Sequence, residues 1–349
     1  MAHELIVIDR KPLQLRRAVI SPAWKDEKVL TSDVWTYVDL WMRRNAKGSD
    51  AQFYWQQSRE FYRASQGLPI TASPLTLYYC FLNATKALLA SKKIKFLDLH
   101  GVTGHKTASK ASLSNERVVF KSGGVLPALI SYYGDAQNGN YTLKELLGNM
   151  SFVHRAYCLS YSEPYHFFSI FDPVYAKARG SSEAWVSFEM EPRFNDRRVL
   201  ATLPPGYQKN PTFSDVLVIR RKKRFKWKSG PAERGANLTR LTEYHKKLRR
   251  NLTYVSGADR WYLKRRHSNL VSVDRHTPTL IFAAMHRLSE LSRYDPIRLS
   301  RILDTQRNWI LAEFVKSSPT QFLDEIACEI TGQEIYAPGI HGGSSLSLS

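Results

Sequence analysis

The first 170 residues carry apolar side chains at the three- and four-residue spacing of helices with one buried face. Ser32 and Asp33 can cap a helix carrying Val34, Trp35, Val38, Leu40 and Trp41, and a second begins near Asp50 with Phe53, Tyr54, Trp55, Phe61 and Tyr62. A third opens with Ser73 as N-cap and Pro74 at the first helical position, then runs through Leu75, Leu77, Tyr78, Tyr79, Phe81, Leu82, Ala87, Leu88 and Leu89. Apolar nearly all round, it is expected to be the central core helix. Its polar exceptions, Asn83 and Lys86, lie three apart and so share a face. Residues 92–125 read as loop-rich with short strands, and a further helix is expected from about Leu143 to Leu159, after a Gly/Asn-rich turn at Asp135 to Asn140.

The period then changes. Trp185, Val186, Phe188 and Met190, then Val199 and Leu200, then Val216 to Ile219 are short β-type runs separated by Pro, Gly and Asn, which predicts an antiparallel sheet. Helical spacing returns over Leu238 to Leu252, and again from Thr277-Pro278 through Phe282, Met285, Leu288 and Leu291. Arg293-Tyr294-Asp295-Pro296 ends that helix, and two more are expected over about Pro296 to Trp309 and Pro319 to Ile330. The expected fold class is α+β: mainly α with a central antiparallel β region, a helical N-terminal half and a C-terminal helical bundle. The regions implied are 1–170, helical; 171–275, basic and β-containing; 276–335, helical and packed on the first; and a flexible Ser/Gly-rich tail, 336–349.

Charge changes this picture more than composition does. A 43% hydrophobic and 12% aromatic content supplies a core and excludes a disordered chain. No stretch reaches the roughly 18 apolar residues of a membrane span, and the N-terminus lacks a secretory pattern, so a cytoplasmic protein without membrane contact is expected. Cys80, Cys158 and Cys328 are too few and too scattered for a disulfide framework or zinc site; no metal and no cofactor is expected. Between Arg220 and His267, however, 17 Lys and Arg face only Glu233, Glu243 and Asp259, which concentrates most of the formal +20 charge in one window. That is the footprint of a polyanion partner. In Arg220-Arg221-Lys222-Lys223-Arg224-Phe225-Lys226-Trp227-Lys228 aromatics interleave with cations, as stacking on nucleic-acid bases requires. Lys246, Lys247, Arg249, Arg250, Lys264, Arg265 and Arg266 extend the candidate nucleic-acid surface. A solvated basic strand and helix is the plain alternative.

Catalytic signatures are sparse. His100-Gly101-Val102-Thr103-Gly104-His105-Lys106 lacks the spacing of a phosphate-binding loop, and its two histidines lack partners at metal-ligand spacing. Arg240 and His245 place a cation and a proton-transferring group on adjacent turns of one helix, and Arg260 and His267 repeat the order. A basic helix that grips phosphates explains the same residues. Arg287 and Arg293 beside His286 form a second basic cluster, with Asp295 expected as the helix-terminal partner of an arginine. Polar groups on a buried helix need partners, so Tyr78, Tyr79, Asn83, Lys86, His100 and Arg293 are expected to converge on one place, as a pocket or as a buried network joining the two helical halves.

Three of these segments together resemble the YaaC-like bacterial proteins: Ser73-Pro74-Leu75-Thr76-Leu77-Tyr78-Tyr79 running to Asn83 and Lys86, then His100-Gly101, then Leu288 to Pro296. The similarity covers about residues 30–330 and implies no established activity. The first helical core of that family looks like that of HEPN proteins, whose ribonuclease members carry Arg, four to six residues, then His, paired across a dimer. Here the Arg240/His245 and Arg260/His267 pairs lie in the basic middle region, away from that core. The expected function is a cytoplasmic nucleic-acid-binding protein, RNA or DNA, with a role in bacterial antiviral defence implied by the resemblance alone. A metal-independent endoribonuclease and a non-catalytic scaffold that docks a protein partner or dimerises stand as alternatives.

Overall fold

The computed structural model describes residues 3–25, 28–211, 216–266, 271–305 and 308–336. Helices α1 (Val34–Arg44), α2 (Ser49–Ser65), α3 (Ser73–Ser91), α4 (Val125–Tyr133), α5 (Leu143–Gly148) and α6 (His154–Tyr161) form its first part. The Asp33 side chain caps α1 by accepting from the Trp35 and Thr36 amides. Helix α3 is buried on nearly every side, as an all-round apolar helix must be. Its neighbours include α9 (Thr277–Tyr294) and α11 (Asn308–Thr331), and all share one hydrophobic core, with Phe81 stacked on Phe322 at 4.4 Å. Between those two helices lies α10 (Pro296–Leu303), capped by Asp295.

A second core belongs to an antiparallel sheet. Strands β8 (Phe167–Ala178) and β9 (Glu183–Met190) form its centre, and the order is β10 (Tyr207–Lys209), β11 (Val218–Arg221), β9, β8, β14 (Arg260–Lys264), β13 (Leu252–Val255). Strand β1 (His3–Leu5) also pairs with β8, and β12 (Phe225–Lys226) with β9. Helix α8 (Arg234–Leu248) lays Leu241, Tyr244 and Leu248 on one face of this sheet, while the short α7 (Arg197–Leu200) adds Val199 and Leu200 to its rim. The fold is α+β, with helices segregated from an antiparallel sheet.

Among the described residues three small sheets complete the architecture: β2 (Val7–Ile8) with β3 (Lys11–Pro12), β4 (Val29–Leu30) with β15 (Ile335–Tyr336), and β5 (Val102–Lys106), β6 (Glu116–Phe120), β7 (Gly139–Thr142). The last lies against α9. Among the described residues no helix is long and apolar enough to cross a membrane, and all three cysteines are buried free thiols.

Several elements differ from expectation. Val199 and Leu200 are helical because Asp196 caps the turn through the Arg198 and Val199 amides. The expected helix from Leu143 to Leu159 breaks at Asn149, whose side chain binds the Val271 carbonyl and the Val273 amide. Helix α11 runs through Pro319 instead of starting there. The sequence reading missed α4, the N-terminal strands, β8, β13 and β14. The expected tail beyond Tyr336 lies outside the described residues.

Candidate functional site

Two places carry chemistry, and the first joins α3 to α9. Tyr78 is buried on α3, and its hydroxyl sits 2.6 Å from Nδ1 of the exposed His100. Its ring meets the buried His286 of α9 edge-on at 4.9 Å, and the two imidazoles lie 5.6 Å apart. Gly101 makes this possible: at φ 77° it takes a left-handed turn, and a Cβ there would strike the Pro127 ring at 2.1 Å. Gly104 likewise lets β5 approach α9, where its amide donates to Glu290 at 3.2 Å.

Charge surrounds these rings. Partial burial, then the positive fields of Arg293 and Lys86, lower the His100 pKa below its usual 6.5, so the ring is neutral at physiological pH. Burial, followed by the charges of His100, Arg287 and Arg293, pushes His286 down to about 3. Burial raises Tyr78 well above the phenol range. Lys86 pairs with Asp98 at 2.7 Å. Thus Tyr78 and His100 meet, and the charges of Lys86 and Arg293 reach the imidazole while Lys86 pairs with Asp98 and Arg293 lies over the Tyr294 ring at 4.4 Å. Tyr79 and Asn83 stay on the helix beside them: Tyr79 stacks on Phe61, and the Asn83 amide donates to the Tyr79 carbonyl at 2.8 Å.

Sequence reasoning missed the acids behind this cluster. Glu116 of β6 is fully buried; its Oε2 accepts from Arg287 at 2.6 Å and its Oε1 accepts from Arg298. Glu290 holds the far side of Arg287 at 2.9 Å. No local pattern marks Glu116, because its partners lie on α9 and α10. Asp295, expected beside an arginine, instead caps α10 and pairs with Lys106 at 3.7 Å.

The basic window forms the second place, and there the structure corrects the sequence reading. His245 is fully buried: Nδ1 meets the Tyr175 hydroxyl and Nε2 the Ala18 carbonyl, each at 2.9 Å. Burial drives its pKa to about 3. Arg240 sits elsewhere, with Glu233 at 3.0 Å and Asn237 at 2.7 Å. Five residues along a helix turn about 140° around it, so the pair points to different faces and forms no catalytic site. Of the second pair, His267 lies outside the described residues.

Phe225 is likewise a core residue, packed on Tyr244 at 4.7 Å, with Trp227 half-buried edge-on against it. Alternation along the chain turns these aromatics toward the core and Lys226 and Lys228 outward, which removes Phe225 as a base-stacking surface. Arg249 is buried on the carbonyls of Leu252 and Arg17 and is unavailable to a ligand. Arg220 and Arg224 lie over the Trp185 ring at 5.2 and 5.5 Å, Arg224 also pairing with Glu183, and Arg221 lies over Tyr244. Lys228 pairs with Glu233, Lys246 with Glu243 and Arg250 with Asp274. Lys222, Lys223, Lys226 and Lys247 are exposed, with no ion-pair partner among the described residues.

Around one loop the cations converge. The Lys222 amide donates to the Gly206 carbonyl at 2.7 Å, the Arg266 amide to Thr202 at 2.8 Å, and Arg265 Nε to the Thr202 hydroxyl at 2.8 Å. Beside this loop opens a pocket of about 150 Å³ lined by Lys264, Arg265, Arg266, His166, Pro204 and Pro205, with no carboxylate among its described lining residues. Burial lowers Lys264 to about 8; its ammonium donates to the Val273 carbonyl at 2.9 Å. Among the described residues no three His, Cys, Asp or Glu side chains gather as a metal ion would need.

A family model described as YaaC-like Protein matches residues 20–330 of the chain. No curated protein and no solved structure matches it.

Proposed function

This chain belongs to the YaaC-like protein family, and from that premise we propose that it is a cytoplasmic nucleic-acid-binding protein whose basic band seats the phosphate backbone. One observation carries the reading: Lys264, Arg265 and Arg266 line a pocket with no carboxylate among its described lining residues, and the exposed Lys222 is held by its backbone to the same loop. Lys264 gains from an incoming phosphate, since the field of Asp274 only partly offsets the desolvation that depresses it and a second anion would offset more. Phosphates are the favoured contact, because Phe225 faces the core and cannot stack on bases.

Replacing Lys222, Lys223 and Arg266 together by Glu is expected to weaken binding of short single-stranded RNA and DNA by about 10-fold or more and to flatten the salt slope by about 0.7 per lost contact. All three side chains are exposed, so the fold stays intact. Fluorescence anisotropy across a salt series reads both quantities. Unchanged affinity, or capture of an acidic protein in place of nucleic acid, would favour the scaffold alternative.

A ribonuclease is the second reading, relocated to His100. With Nδ1–H donating to the Tyr78 oxygen, Nε2 keeps its lone pair and can take the proton of a ribose 2′-hydroxyl. The resulting oxyanion would attack phosphorus, Arg293 would hold the developing charge, and the 5′-oxygen would leave with a proton from water. His100→Ala is then expected to abolish cleavage of single-stranded RNA in EDTA while binding is unchanged. Wild-type protein that leaves RNA intact, with or without divalent metal, removes this reading and leaves the binding protein.

A further inference from the structure

A cleft of about 180 Å³ opens at the seam between the helical core and the sheet, away from both places described above. Trp35 of α1 and Trp55 and Tyr62 of α2 make one wall, with ring centroids 4.7 Å (Trp35–Trp55) and 5.8 Å (Trp35–Tyr62) apart. Tyr254 of β13 and Tyr336 of β15 make the other. Between these two phenols lies the Arg17 guanidinium, 4.8 Å from the first ring centre and 4.3 Å from the second. The cleft thus already holds one delocalised cation against aromatic faces.

Its acids exceed its cations. Arg17 pairs with both Asp324 at 2.7 Å and Glu334 at 3.1 Å, and Asp324 accepts a further bond from Ser256 at 2.8 Å. Asp259 stands exposed at the mouth; one oxygen accepts from the Tyr254 hydroxyl and the other has no partner among the described residues. Lys28 offsets part of this charge from outside, 4.9 Å from the Tyr336 ring. In a chain of net charge +20, an aromatic-walled cavity with surplus carboxylate is an exception that calls for a positively charged occupant.

We propose that this cleft binds a small organic cation, a quaternary ammonium or guanidinium group lying against Trp35 with its charge facing Asp259. The aromatic faces supply cation–π attraction, and Asp259 supplies the long-range field that a neutral ligand of the same shape cannot use. The site is independent of the basic band, which lies on other elements and attracts the opposite charge.

Isothermal titration with tetramethylammonium, choline and agmatine, beside 3,3-dimethylbutan-1-ol as the uncharged twin of choline, tests it. At least one cation is expected to bind saturably at one site, with the alcohol about 10-fold weaker than choline if choline binds. Asp259→Asn, at an exposed position, is expected to weaken the cation by about 3- to 10-fold and leave the alcohol unchanged. The triple Glu variant of the basic band is expected to bind the cation like wild type. No saturable binding of any of the three cations, an alcohol that matches choline, or a cation affinity insensitive to Asp259→Asn overturns the proposal. Far-ultraviolet circular dichroism of each variant separates lost binding from lost fold.

Discussion

Glu116→Ala is expected to destabilise the protein by about 3–5 kcal/mol, the usual cost of removing one partner from a buried ion cluster. Glu116 is fully buried and serves two arginines at once, Arg287 on α9 and Arg298 on α10. Its loss leaves two guanidinium groups, 7% and 5% exposed, with only part of their hydrogen bonding: Arg287 keeps Glu290, and Arg298 keeps the carbonyls of Ala108, Ser109 and Lys110. The residual charge is what costs stability, not the missing methylene groups. Replacing Glu116, Arg287 and Arg298 together by apolar residues of similar size, with Glu290→Gln, is therefore expected to recover much of the loss, because no member of the cluster then keeps an unpaired charge. Urea denaturation measures both variants. A cost below about 1 kcal/mol for Glu116→Ala would show that water reaches the arginines and that the cluster does not hold the small sheet to the helical core.

Acid is expected to unfold the protein through His245 and His286. Both titrate near 3 in the folded state against a usual 6.5, chiefly because burial penalises the charged ring. The unfolded chain takes up these protons below about pH 6.5 while the native state cannot, so their stabilisation is complete above that pH and is lost as pH falls toward 3. Glu325 opposes them over part of the range: burial raises it from 4.5 to about 7, so the native state holds its proton more tightly between those values. These three groups together contribute a slope of about 1.4 kcal/mol per pH unit from 6.5 to 4.5 and about 2.7 below that, and the lowered His100 and His154 act in the same direction. The lowered carboxyls of Asp33 and Asp135 add to the loss in the same direction. Urea midpoints at several pH values between 7.5 and 4.5 trace the curve, and His245→Phe is expected to flatten it. A midpoint independent of pH would contradict the buried, neutral state of these rings.

The helical core was legible because its signals are local. Pro74 marks the first turn of α3, although Ala72 and not Ser73 is its N-cap, with no side-chain cap bond, and the helix's all-round apolar composition left burial as the only stable place for it. Thr277-Pro278 set the start of α9 in the same way. Strand β8 was not legible, because Asp172-Pro173 interrupts its apolar run. The sheet absorbs the interruption through a register shift between Phe171 and Val174, with Asp172 at φ 44°. Strands β13 and β14 read as part of a basic stretch. They pair because β8 offers an open edge to which Trp261, Tyr262 and Leu263 can bond.

The candidate sites divide along the same line. Net charge is a sum over neighbouring residues, and the sequence therefore located the basic window without knowing its shape. It also led from the buried Tyr78 to a polar partner, which the fold supplies in His100, since a polar group on a buried helix must find a partner somewhere in the fold. Which side of an element a residue faces is decided by what packs against that element. Phe225 and His245 turned inward because the sheet and α8 close on each other there, and Glu116 met Arg287 and Arg298 because β6 lies against α9 and α10. From its sequence this chain determined most of its long helices, the Asp33 cap, its central core helix and the place of its charge, all set by residues within one or two turns of each other. Only the tertiary structure decided which cations stay exposed, which histidine stands free of the core and where aromatic rings enclose a cavity, because those depend on contacts between residues far apart along the chain.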